Sequence, residues 1–419
     1  MTTSVDIGGT TRTVARLFAL DQDLIDNPFP TYQRMRDHAP VIRANSVVSV
    51  SKYADVKAVF RDPQTFSSVR HFGSRITARR AQLDPEQARK LDALVEHEGL
   101  WVSETDDPIH ARLRRFVNTT FSAARVAEMR TEVEAITNEL LNEVEANSEG
   151  HFELIRDFSF KLPLRVICRL FGASGPETEQ IRAWSETIGE GLGTDYSNID
   201  EAHDALQNFS TYVTGLIDQA RSQGADGTTN LFTELMTPDA EGQVLSDEDL
   251  IAMYIQLLFA GHETTTNLIA NALIALHENP AQRQILLKDQ SMIRPAIDEF
   301  LRYCGSIHAV HRVAVRDCDI NGFKVAKGES VRLLVAAANR DPEAFDDPDS
   351  LDVTRKNARQ HVGLGFGIHT CLGQWLTRLE SEVALTELFN RFPDLAIDGR
   401  YQMRRNLTLH GPAELNVKY

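Results

Sequence analysis

The run Gly365-Phe366-Gly367-Ile368-His369-Thr370-Cys371-Leu372-Gly373 places one cysteine in a loop punctuated by three glycines. Glycine allows backbone turns that other residues disfavour and lets the chain approach a partner closely. Backbone N–H groups at the start of a following helix would favour a negative sulfur. The run therefore predicts a loop that presents one thiolate to a large flat partner. A long amphipathic helix after it is indicated by apolar residues at helical spacing, namely Leu376, Leu379, Val383, Leu385 and Leu388.

Two interpretations of Cys371 are open at this point. Free cysteines are often small buried hydrophobic residues, and glycine-rich loops before helices commonly bind phosphate. Alternatively, Cys371 is a metal ligand, because haem iron accepts a single axial cysteine thiolate. The other cysteines, Cys168, Cys304 and Cys318, are far apart and no CxxC pair occurs, so we expect no zinc site.

The composition is that of an ordinary globular protein of 419 residues, with 42% hydrophobic and 25% charged residues. A formal net charge of −16 argues against general nucleic-acid binding. Residues 1–20 lack a long apolar core, so we expect no signal peptide, no membrane anchor and a cytoplasmic protein with reduced thiols. Because no linker or repeat divides the chain, we expect a single domain over residues 1–419. A monomer is the default expectation.

The order of helix and strand signals predicts a mainly α protein with small β-sheets, not a regular βαβ fold. Helices are predicted over 31–38 and 54–62, and helical patterns dominate residues 107–290. Residues 67–103 have weak periodicity and are expected to form either a mobile flap or a partly helical loop. Strand signals predict hairpins at Val41–Val50 and around Asn321-Gly322, and a strand over 329–337.

The longest predicted helix begins at Ser246, which forms a capping box with Asp249, and ends at Asn279-Pro280. Such a helix would be about 45 Å long, and its apolar middle indicates that it crosses the core. The small residues Ala260 and Gly261 at its centre would let a ligand lie against the backbone.

An acid and an alcohol, Glu263 and Thr264, follow directly in this helix. A buried carboxylate is costly unless it is hydrogen-bonded, and a threonine can bond to a carbonyl one turn back and loosen the helix. Such a pair can deliver protons to bound oxygen. The alternative interpretation is a helix kink with a capped threonine, and this segment alone leaves both open.

Two further motifs are weak when taken alone. Glu299 and Arg302 share a helix face and can form an ion pair, although most such pairs are solvated and contribute little. His110 and Arg114, four residues apart, can hold carboxylates, as can Arg312, or they are simply basic surface residues. The cluster His110–Arg115, which also contains Arg112 and Arg115, gives an acidic protein one locally positive surface that can guide an acidic redox partner.

In combination, these segments closely resemble the cytochrome P450 family in its soluble bacterial form. The resemblance runs from Asn27-Pro28-Phe29-Pro30 to the end of the chain and includes Asn339-Arg340-Asp341-Pro342 and Phe345-Asp346-Asp347-Pro348. It implies a cytochrome P450-like fold and haem b (iron protoporphyrin IX) as cofactor, with Cys371 as the thiolate ligand of the iron.

The resemblance also implies roles for individual residues. Glu263 and Thr264 would serve oxygen activation, and Glu299 and Arg302 would form a buried structural pair, with Arg340 expected as a further partner. The implied haem contacts, apart from Cys371, are His110, Arg114, Arg312, His369, Phe366, Gly365, Gly367 and Ala260. The implied substrate-pocket residues are Gln256, Phe259, Ala260, Ile307, Ala309 and Leu407.

Two positions depart from the family pattern. The family usually has phenylalanine seven residues before the cysteine, where this chain has Leu364. We therefore expect that the aromatic shield of the haem is either missing or supplied by another side chain, with Phe366 as the candidate. Proline commonly follows the helix arginine by four residues, where this chain has Ser306. The strand that leads to Arg312 is therefore expected to begin differently.

The implied activity is that of a monooxygenase, which inserts one atom of dioxygen into a C–H bond of a small to medium hydrophobic substrate. Because no reductase segment is recognised in the chain, electrons from NAD(P)H would arrive through a separate ferredoxin or flavodoxin and its reductase. Three other classes are open: a peroxide-driven haem enzyme, a non-catalytic haem sensor or ligand carrier, and a metal-free helical binding protein.

Overall fold

The computed structural model describes residues 7–44, 46–69, 74–173, 176–193, 197–223, 230–239 and 241–419. The chain divides into two compact units. The first, here called the mixed unit, comprises Met1–Ser67, Arg130–Lys161 and Thr264–Tyr419. The second, the helical unit, comprises Ser68–Met129 and Leu162–Glu263. The single domain expected from the sequence stays a prediction.

Helices account for most of the described residues, which confirms the predicted fold class. In chain order they are α1 (Ile7–Phe18), α2 (Gln22–Asp26), α3 (Phe29–His38), α4 (Tyr53–Arg61), α5 (Ser74–Arg80), α6 (Pro85–Glu98), α7 (Ile109–Asn118), α8 (Ala123–Glu128), α9 (Arg130–Asn147), α10 (Lys161–Leu170), α11 (Pro176–Gly193), α12 (Ile199–Gln223), α13 (Leu231–Leu235), α14 (Asp247–Glu278), α15 (Pro280–Lys288), α16 (Ile293–Tyr303), α17 (Val335–Ala338) and α18 (Gln374–Arg391). Within the described residues, no helix has the length and hydropathy needed to cross a bilayer.

All the strands that the structure describes belong to the mixed unit. They are β1 (Val41–Ala44), β2 (Val47–Val50), β3 (Phe66–Ser67), β4 (His151–Glu153), β5 (Val310–Ala314), β6 (Cys318–Ile320), β7 (Phe323–Val325), β8 (Ser330–Leu333), β9 (Ala396–Ile397) and β10 (Asn416–Lys418). The main sheet has the order β1-β2-β8-β5-β3, and only its β2–β8 pair is parallel.

Both predicted hairpins form. Val41 pairs with Val50 in the first, whose turn includes Asn45, a residue outside the described part of the chain. In the second, β6 and β7 are joined by Asn321 and Gly322 at φ values of 52° and 84°. Positive φ at both central residues is what a tight Asn-Gly hairpin turn requires.

Two segments differ from their predictions. The strand expected over 329–337 ends at Leu333, and the following Val335–Ala338 is a short helix. Its run of three alanines, Ala336–Ala338, has high helix propensity. Residues 67–103 contain two helices, α5 and α6, and α6 is capped by Asp84, whose side chain accepts from two backbone N–H groups. The partly helical alternative was therefore the correct one.

The predicted long helix is α14, which spans 32 residues. Its capping box is present, because the Asp249 N–H donates to Ser246 Oγ and the Ser246 N–H donates to the Asp249 carboxylate. It ends at Glu278, directly before Asn279-Pro280. The boundary between the two units falls within it, between Glu263 and Thr264.

Candidate active site

The cysteine loop of the mixed unit is open along its length. None of the thirteen residues from Gly363 to Trp375 is buried, whereas Val362 before them and Leu376 after them are. The loop is closed by a hydrogen bond from the Cys371 N–H to the Leu364 carbonyl, 2.8 Å. Cys371 therefore lies shortly before α18, on a folded segment that is accessible although the residues on either side of it are buried.

Glycine is required at two positions in this loop. Gly365 and Gly367 have φ values of +72° and +77°, where a side chain is strained. A Cβ on Gly367 would also lie 2.9 Å from the Phe60 carbonyl oxygen of α4. The glycine spacing seen in the sequence thus reflects both backbone conformation and close approach to a neighbouring helix.

The other three cysteines are unsuited to bind a metal as thiolates. Burial raises the pKa of the Cys168 and Cys304 thiols to about 12, and it also raises the pKa of Cys318. These three are therefore neutral thiols at neutral pH. All four cysteines lie in the described part of the chain, and none forms a disulfide. Cys371 is the strongest candidate for a thiolate ligand.

The start of the cysteine loop is held by an ionic network that the sequence analysis missed. The buried Asp298 carboxylate of α16 accepts from Arg359, His361 and Arg378 at 3.1, 3.4 and 2.8 Å. Burial raises the pKa of Asp298, but the hydrogen bond from His361 and the charge of Arg378 outweigh it and hold the pKa at about 2. The Gly363 N–H donates to His361 Nδ1. The only sequence signal was three basic side chains flanking the loop.

Several predicted haem contacts also lie in the mixed unit. Phe366 packs against the sheet core, with Lys57 Nζ 4.6 Å and Arg61 Cζ 4.9 Å from its ring centroid. The Phe366 ring therefore contacts cationic side chains of α4 in addition to the sheet core. Arg312 is buried on β5 with its guanidinium 5.4 Å from the Phe60 ring. His369 ends the short turn of helix that precedes Cys371.

The predicted pair of Glu299 and Arg302 is buried, with both side chains no more than 1% exposed. Two N–H groups of Arg302 donate to the Glu299 carboxylate, each at 2.7 Å. The Asp352 N–H and Arg355 Nε donate to the same carboxylate at 2.9 and 3.2 Å. The further partner is thus Arg355, and the expectation of Arg340 was wrong.

Arg340 has a different set of contacts. It donates to the Tyr303 carbonyl at 2.8 Å, and its guanidinium lies 4.0 Å from the Tyr303 ring and 3.5 Å from the Phe29 ring. A planar cation between two aromatic rings gains cation–π attraction, and the carboxylate partner of Arg340 is Asp349 at 3.4 Å. Its side chain is therefore engaged away from Glu299.

Backbone carbonyls complete the ion-pair cluster. Arg302 donates to the carbonyls of Pro348 and Ser350 at 2.7 and 3.0 Å, and Arg355 donates to those of Asp346 and Asp347 at 2.6 and 3.1 Å. The segment Asp346–Ser350 is consequently attached to α16 through its main chain. This supports the structural role expected for the pair.

At the centre of α14, Ala260, Glu263 and Thr264 share one helix face, because they lie at i, i+3 and i+4. Ala260 is exposed and the other two are half-buried, whereas Leu258, His262 and Thr265 are buried. This face is therefore accessible along an otherwise buried stretch of helix. The arrangement matches the predicted acid–alcohol pair beside a small residue.

Two predicted pocket residues have contacts within the helical unit. Gln256 is 7% exposed, and its side chain accepts from the Val102 N–H at 2.8 Å and donates to Ser103 Oγ at 2.9 Å. Phe259 packs on Trp101 with ring centroids 5.8 Å apart. Gln256 thus fixes the segment 102–103 on α14. Trp101 is an aromatic neighbour that the sequence analysis did not single out.

His110 and Arg114 both lie on α7, as the spacing predicted. His110 is buried; burial lowers its pKa, the positive charge of Arg114 adds to that effect, and Asp107 opposes it. In the mixed unit, Ile307 pairs with Leu409 in an isolated β-bridge and both are half-buried. Ala309 and Leu407 are buried in the core of the mixed unit, and their place in a substrate pocket stays a prediction.

The cysteine loop fits haem on the observations above. It offers one half-buried sulfur, positive-φ glycines where a side chain would be strained, and an accessible surface between buried flanks. In the described part of the chain, no cluster of three or more His, Cys, Asp and Glu side chains could bind a metal ion. Haem would bring porphyrin ligands for its iron, so that one protein sulfur is enough to hold it.

Comparison with known proteins decides the family, because a family model for cytochrome P450 matches residues 41–403. The chain belongs to the cytochrome P450 family. It is 35% identical over 391 residues to cytochrome P450 monooxygenase PikC of Streptomyces venezuelae, covering 92% of this chain and 88% of that protein. It is 35% identical over 376 residues to vitamin D(3) 25-hydroxylase of Pseudonocardia autotrophica, covering 88% of each.

Cytochrome P450 structures also match the fold. P450BioI, solved in complex with a hexadec-9Z-enoic acid ligated acyl carrier protein, has a TM-score of 0.84 at 27% identity. The match covers 95% of this chain and 99% of that one. As a cytochrome P450, the protein is a monooxygenase with a haem cofactor that uses dioxygen.

Proposed function

We propose that this cytochrome P450 inserts one atom of dioxygen into a C–H bond of a small to medium hydrophobic substrate, and that the Cys371 sulfur would hold the iron of its haem. The observation that carries the proposal is the cysteine loop, in which Cys371 is only half-buried, its backbone N–H donates to the Leu364 carbonyl, and Gly365 and Gly367 adopt positive φ. Bound haem supplies the activation of dioxygen. The chain supplies orientation, proton access and exclusion of water.

Glu263 and Thr264 are proposed to move protons. They adjoin in sequence on the accessible face of α14, together with Ala260. A carboxyl group can take a proton from solvent, and a hydroxyl can both accept and donate one. Thr264 would then hold a proton where dioxygen is reduced, and Glu263 would replace it.

Basic side chains are proposed to hold the carboxylates of the cofactor. Arg312 is buried on β5, and His369 directly precedes the Thr370-Cys371 step of the loop. His110 and Arg114 would contribute from α7. A buried arginine stabilises a carboxylate through charge-assisted hydrogen bonds. Gly365, Gly367 and Phe366 would contact the porphyrin through the loop itself.

Ala260, Phe259, Ile307 and Leu407 support a mostly apolar substrate class. The side chain of Gln256 is engaged by residues 102–103, so we assign it to the shape of the pocket rather than to direct substrate contact. A substrate of sterol or fatty-acyl character is consistent with the vitamin D(3) hydroxylase and acyl carrier protein complex among the relatives.

Electrons are proposed to come from NAD(P)H through a reductase and an acidic ferredoxin or flavodoxin in the cytoplasm. Lys57 and Arg61 lie against Phe366 of the cysteine loop, which gives the mixed unit a cationic patch there in a protein of net charge −16. Opposite charges on two partners speed their encounter and set its orientation.

The test is spectroscopic and catalytic. The reduced, haem-loaded enzyme is expected to give the red-shifted carbon monoxide band of a thiolate-ligated haem, and Cys371→Ser is expected to lose it, while Cys304→Ser keeps it. A band that survives in Cys371→Ser contradicts the ligand assignment. Turnover with peroxide but not with reductant and dioxygen would favour the peroxide-driven class, and binding without turnover would favour a sensor or carrier.

A further inference from the structure

The isolated bridge between Ile307 and Leu409 joins two segments of the mixed unit that are far apart in the chain. Two backbone hydrogen bonds flank it: the His308 N–H donates to the opposite segment at 3.0 Å, and the His410 N–H donates back at 2.7 Å. Successive side chains of extended segments point to opposite faces. Ile307 and Leu409 therefore share one face of the paired segments, and His308 and His410 share the other.

The two faces differ in burial. Ile307 and Leu409 are half-buried, whereas His308 and His410 are only 1% and 4% exposed. The face with the two aliphatic side chains, here called the aliphatic face, is the one that includes the predicted pocket residue Ile307. The two histidines consequently form the layer directly behind the aliphatic face.

The two imidazole rings are stacked, with centroids 4.0 Å apart and an interplanar angle of 15°. The His308 ring also lies 5.7 Å from the Phe29 ring, and its Nδ1 lies 3.4 Å from Tyr32 Oη, both on α3. His410 Nε2 lies 3.0 Å from the Ile25 carbonyl oxygen of α2, which can only accept, so this nitrogen carries the hydrogen. The stacked pair therefore attaches both segments to α2 and α3.

Both stacked rings are neutral at neutral pH. Burial lowers the pKa of His308 and of His410, and the charge of Arg340 adds to this effect, although Asp26 opposes it at His410. Burial also raises the pKa of Tyr32, so the hydroxyl beside His308 is neutral as well. Two neutral rings can stack without charge repulsion, and such aromatic pairs contribute energy beyond the area that they bury.

We propose that His308 and His410 are positioning residues that fix the aliphatic face of the substrate pocket and thereby determine how tightly the enzyme holds a substrate large enough to touch that face. The inference rests on the proposed function, which places Ile307 in the pocket. A binding surface keeps its productive geometry only while the side chains behind it are themselves fixed by packing and hydrogen bonds. The competing explanation is that the stacked pair only stabilises the fold.

The first test compares two ligands of the haem iron in the haem-loaded enzyme, because iron in haem accepts an imidazole nitrogen. Imidazole itself is too small to touch a pocket wall at a distance from the iron, whereas clotrimazole carries three aromatic rings. Titrations that follow the haem absorbance band give both affinities. In His410→Gln we expect clotrimazole to bind about five to ten times more weakly, the scale of one lost aromatic contact, and imidazole to bind as in the wild type.

Two outcomes of this comparison would overturn the proposal. One is a clotrimazole affinity that stays at the wild-type value, and the other is a clotrimazole affinity that falls by the same factor as the imidazole affinity. The matched control is Phe392→Leu, which removes a buried ring that lies 4.0 Å from the Tyr419 ring in the same unit. It should lower stability and leave the ratio of the two affinities unchanged.

The second test separates positioning from stability. His410→Phe keeps a planar ring for the stack but cannot donate to the Ile25 carbonyl, so it should lower the midpoint of urea unfolding. We nevertheless expect its clotrimazole affinity to stay within about twofold of the wild-type value, because the stacked ring is retained. If the affinity instead follows stability in His410→Gln and His410→Phe alike, the pair is only structural and the proposal is wrong.

The third test asks whether the histidines act through Ile307. Ile307→Ala should by itself weaken clotrimazole binding. If His410 acts by holding Ile307 in place, the double variant binds clotrimazole more tightly than the product of the two single fold-changes predicts, since groups that act through each other are not additive. Fold-changes that simply multiply would contradict the proposal, as would an Ile307→Ala variant with wild-type affinity.

The inference and the proposed function fail separately. If the reduced enzyme gives the thiolate carbon monoxide band and binds clotrimazole more tightly than imidazole, haem and pocket are intact, and a negative result concerns the histidines alone. If the carbon monoxide band is missing, the proposed function fails first. If His410→Gln does not fold, His308→Gln breaks the same stack without touching the hydrogen bond to Ile25, and the same criteria apply.

Discussion

One carboxylate, Glu299, connects a helix, a loop and two arginines. It accepts hydrogen bonds from Arg302, Arg355 and the Asp352 N–H while it is essentially inaccessible to solvent. The desolvation of such a charge is offset only while its partners stay in place. A single substitution here therefore acts on the whole cluster rather than on one pair.

At this scale we predict that Glu299→Gln destabilises the protein by about 3–5 kcal/mol, because Arg302 is left buried without its counterion. Equilibrium unfolding in urea measures the loss. Glu329→Gln is the control, since it breaks the largely exposed Arg43–Glu329 bridge and should cost no more than about 1 kcal/mol. Equal losses for the two variants would contradict the cluster's structural role.

The sequence predicted the part of this cluster that is local. Glu299 and Arg302 are three residues apart in one helix, so the helical repeat alone brings them together. Arg355 is 56 residues from Glu299, and Asp298 meets Arg378 across 80 residues. Contacts at such separations depend on how the loop 340–371 folds, which residue spacing does not determine.

At the scale of elements, the cysteine loop is stiff because of its contacts with α4 and its own turns. Gly367 combines a φ of +77° with a close approach to the Phe60 carbonyl, whereas Gly322 in the β6–β7 turn has a φ of +84° and nothing near its missing Cβ. A side chain at either position would strain the backbone, but only a side chain at Gly367 would also collide with a neighbouring helix. Substitutions at the two glycines therefore distinguish the two effects.

We predict that Gly367→Ala reduces both stability and haem content, and that Gly322→Ala costs only the strain of a left-handed residue, about 1–2 kcal/mol. The additional loss in Gly367→Ala comes from displacement of the loop away from Phe60. Thermal unfolding and the ratio of haem to protein absorbance measure the two effects. Normal haem content in Gly367→Ala would show that the loop tolerates the shift.

Elements with strong local signals were predicted well, and those set by tertiary contacts were not. The capping box at Ser246 and the stop signal Asn279-Pro280 predicted both ends of α14 to within one residue. The Asn321-Gly322 pair predicted the position of the β6–β7 hairpin. The strand expected up to residue 337 failed because β8 ends where its pairing with β2 and β5 ends, at Leu333. The alanines beyond are then free to follow their helix propensity.

At the scale of the whole molecule, buried histidines make stability depend on pH. Burial lowers the pKa of His97 to about 4, and it also lowers the pKa of His308, His361 and His410. These groups are neutral in the folded protein, but in the unfolded chain they bind protons below about pH 6.5. The unfolded state then binds more protons, so folding stability decreases as the pH falls.

We predict that the free energy of unfolding falls steadily as the pH drops below about 6.5, each such group contributing up to about 1.4 kcal/mol per pH unit. Asp298 adds a further loss between about pH 4, its range in an unfolded chain, and about pH 2, its folded pKa. Urea unfolding at several pH values measures the slope. His361→Gln should reduce the slope, and an unchanged slope in this variant would contradict the assignment.

Fold class and family could be read from order and spacing along the chain, and the individual haem and pocket assignments stay predictions. Gln256 illustrates the reason. Its position before Ala260 suggested a pocket residue, but its amide is used by Val102 and Ser103, more than 150 residues away. Which polar groups form hydrogen bonds across such a sequence separation depends on tertiary packing, and residue spacing does not determine it.

The segment Asp346–Ser350 is held by α16 and Arg355 through carbonyl oxygens, which every amino acid provides. Asp346, Asp347, Asp349 and Ser350 are exposed. New side chains can therefore be introduced here with the anchoring atoms unchanged, except at two positions. At Asp347 a φ of +43° favours Asn or Gly, and the Asp349 carboxylate pairs with Arg340 at 3.4 Å. The stretch offers a ready attachment point for a spin label, a fluorophore or a tether to an electron donor.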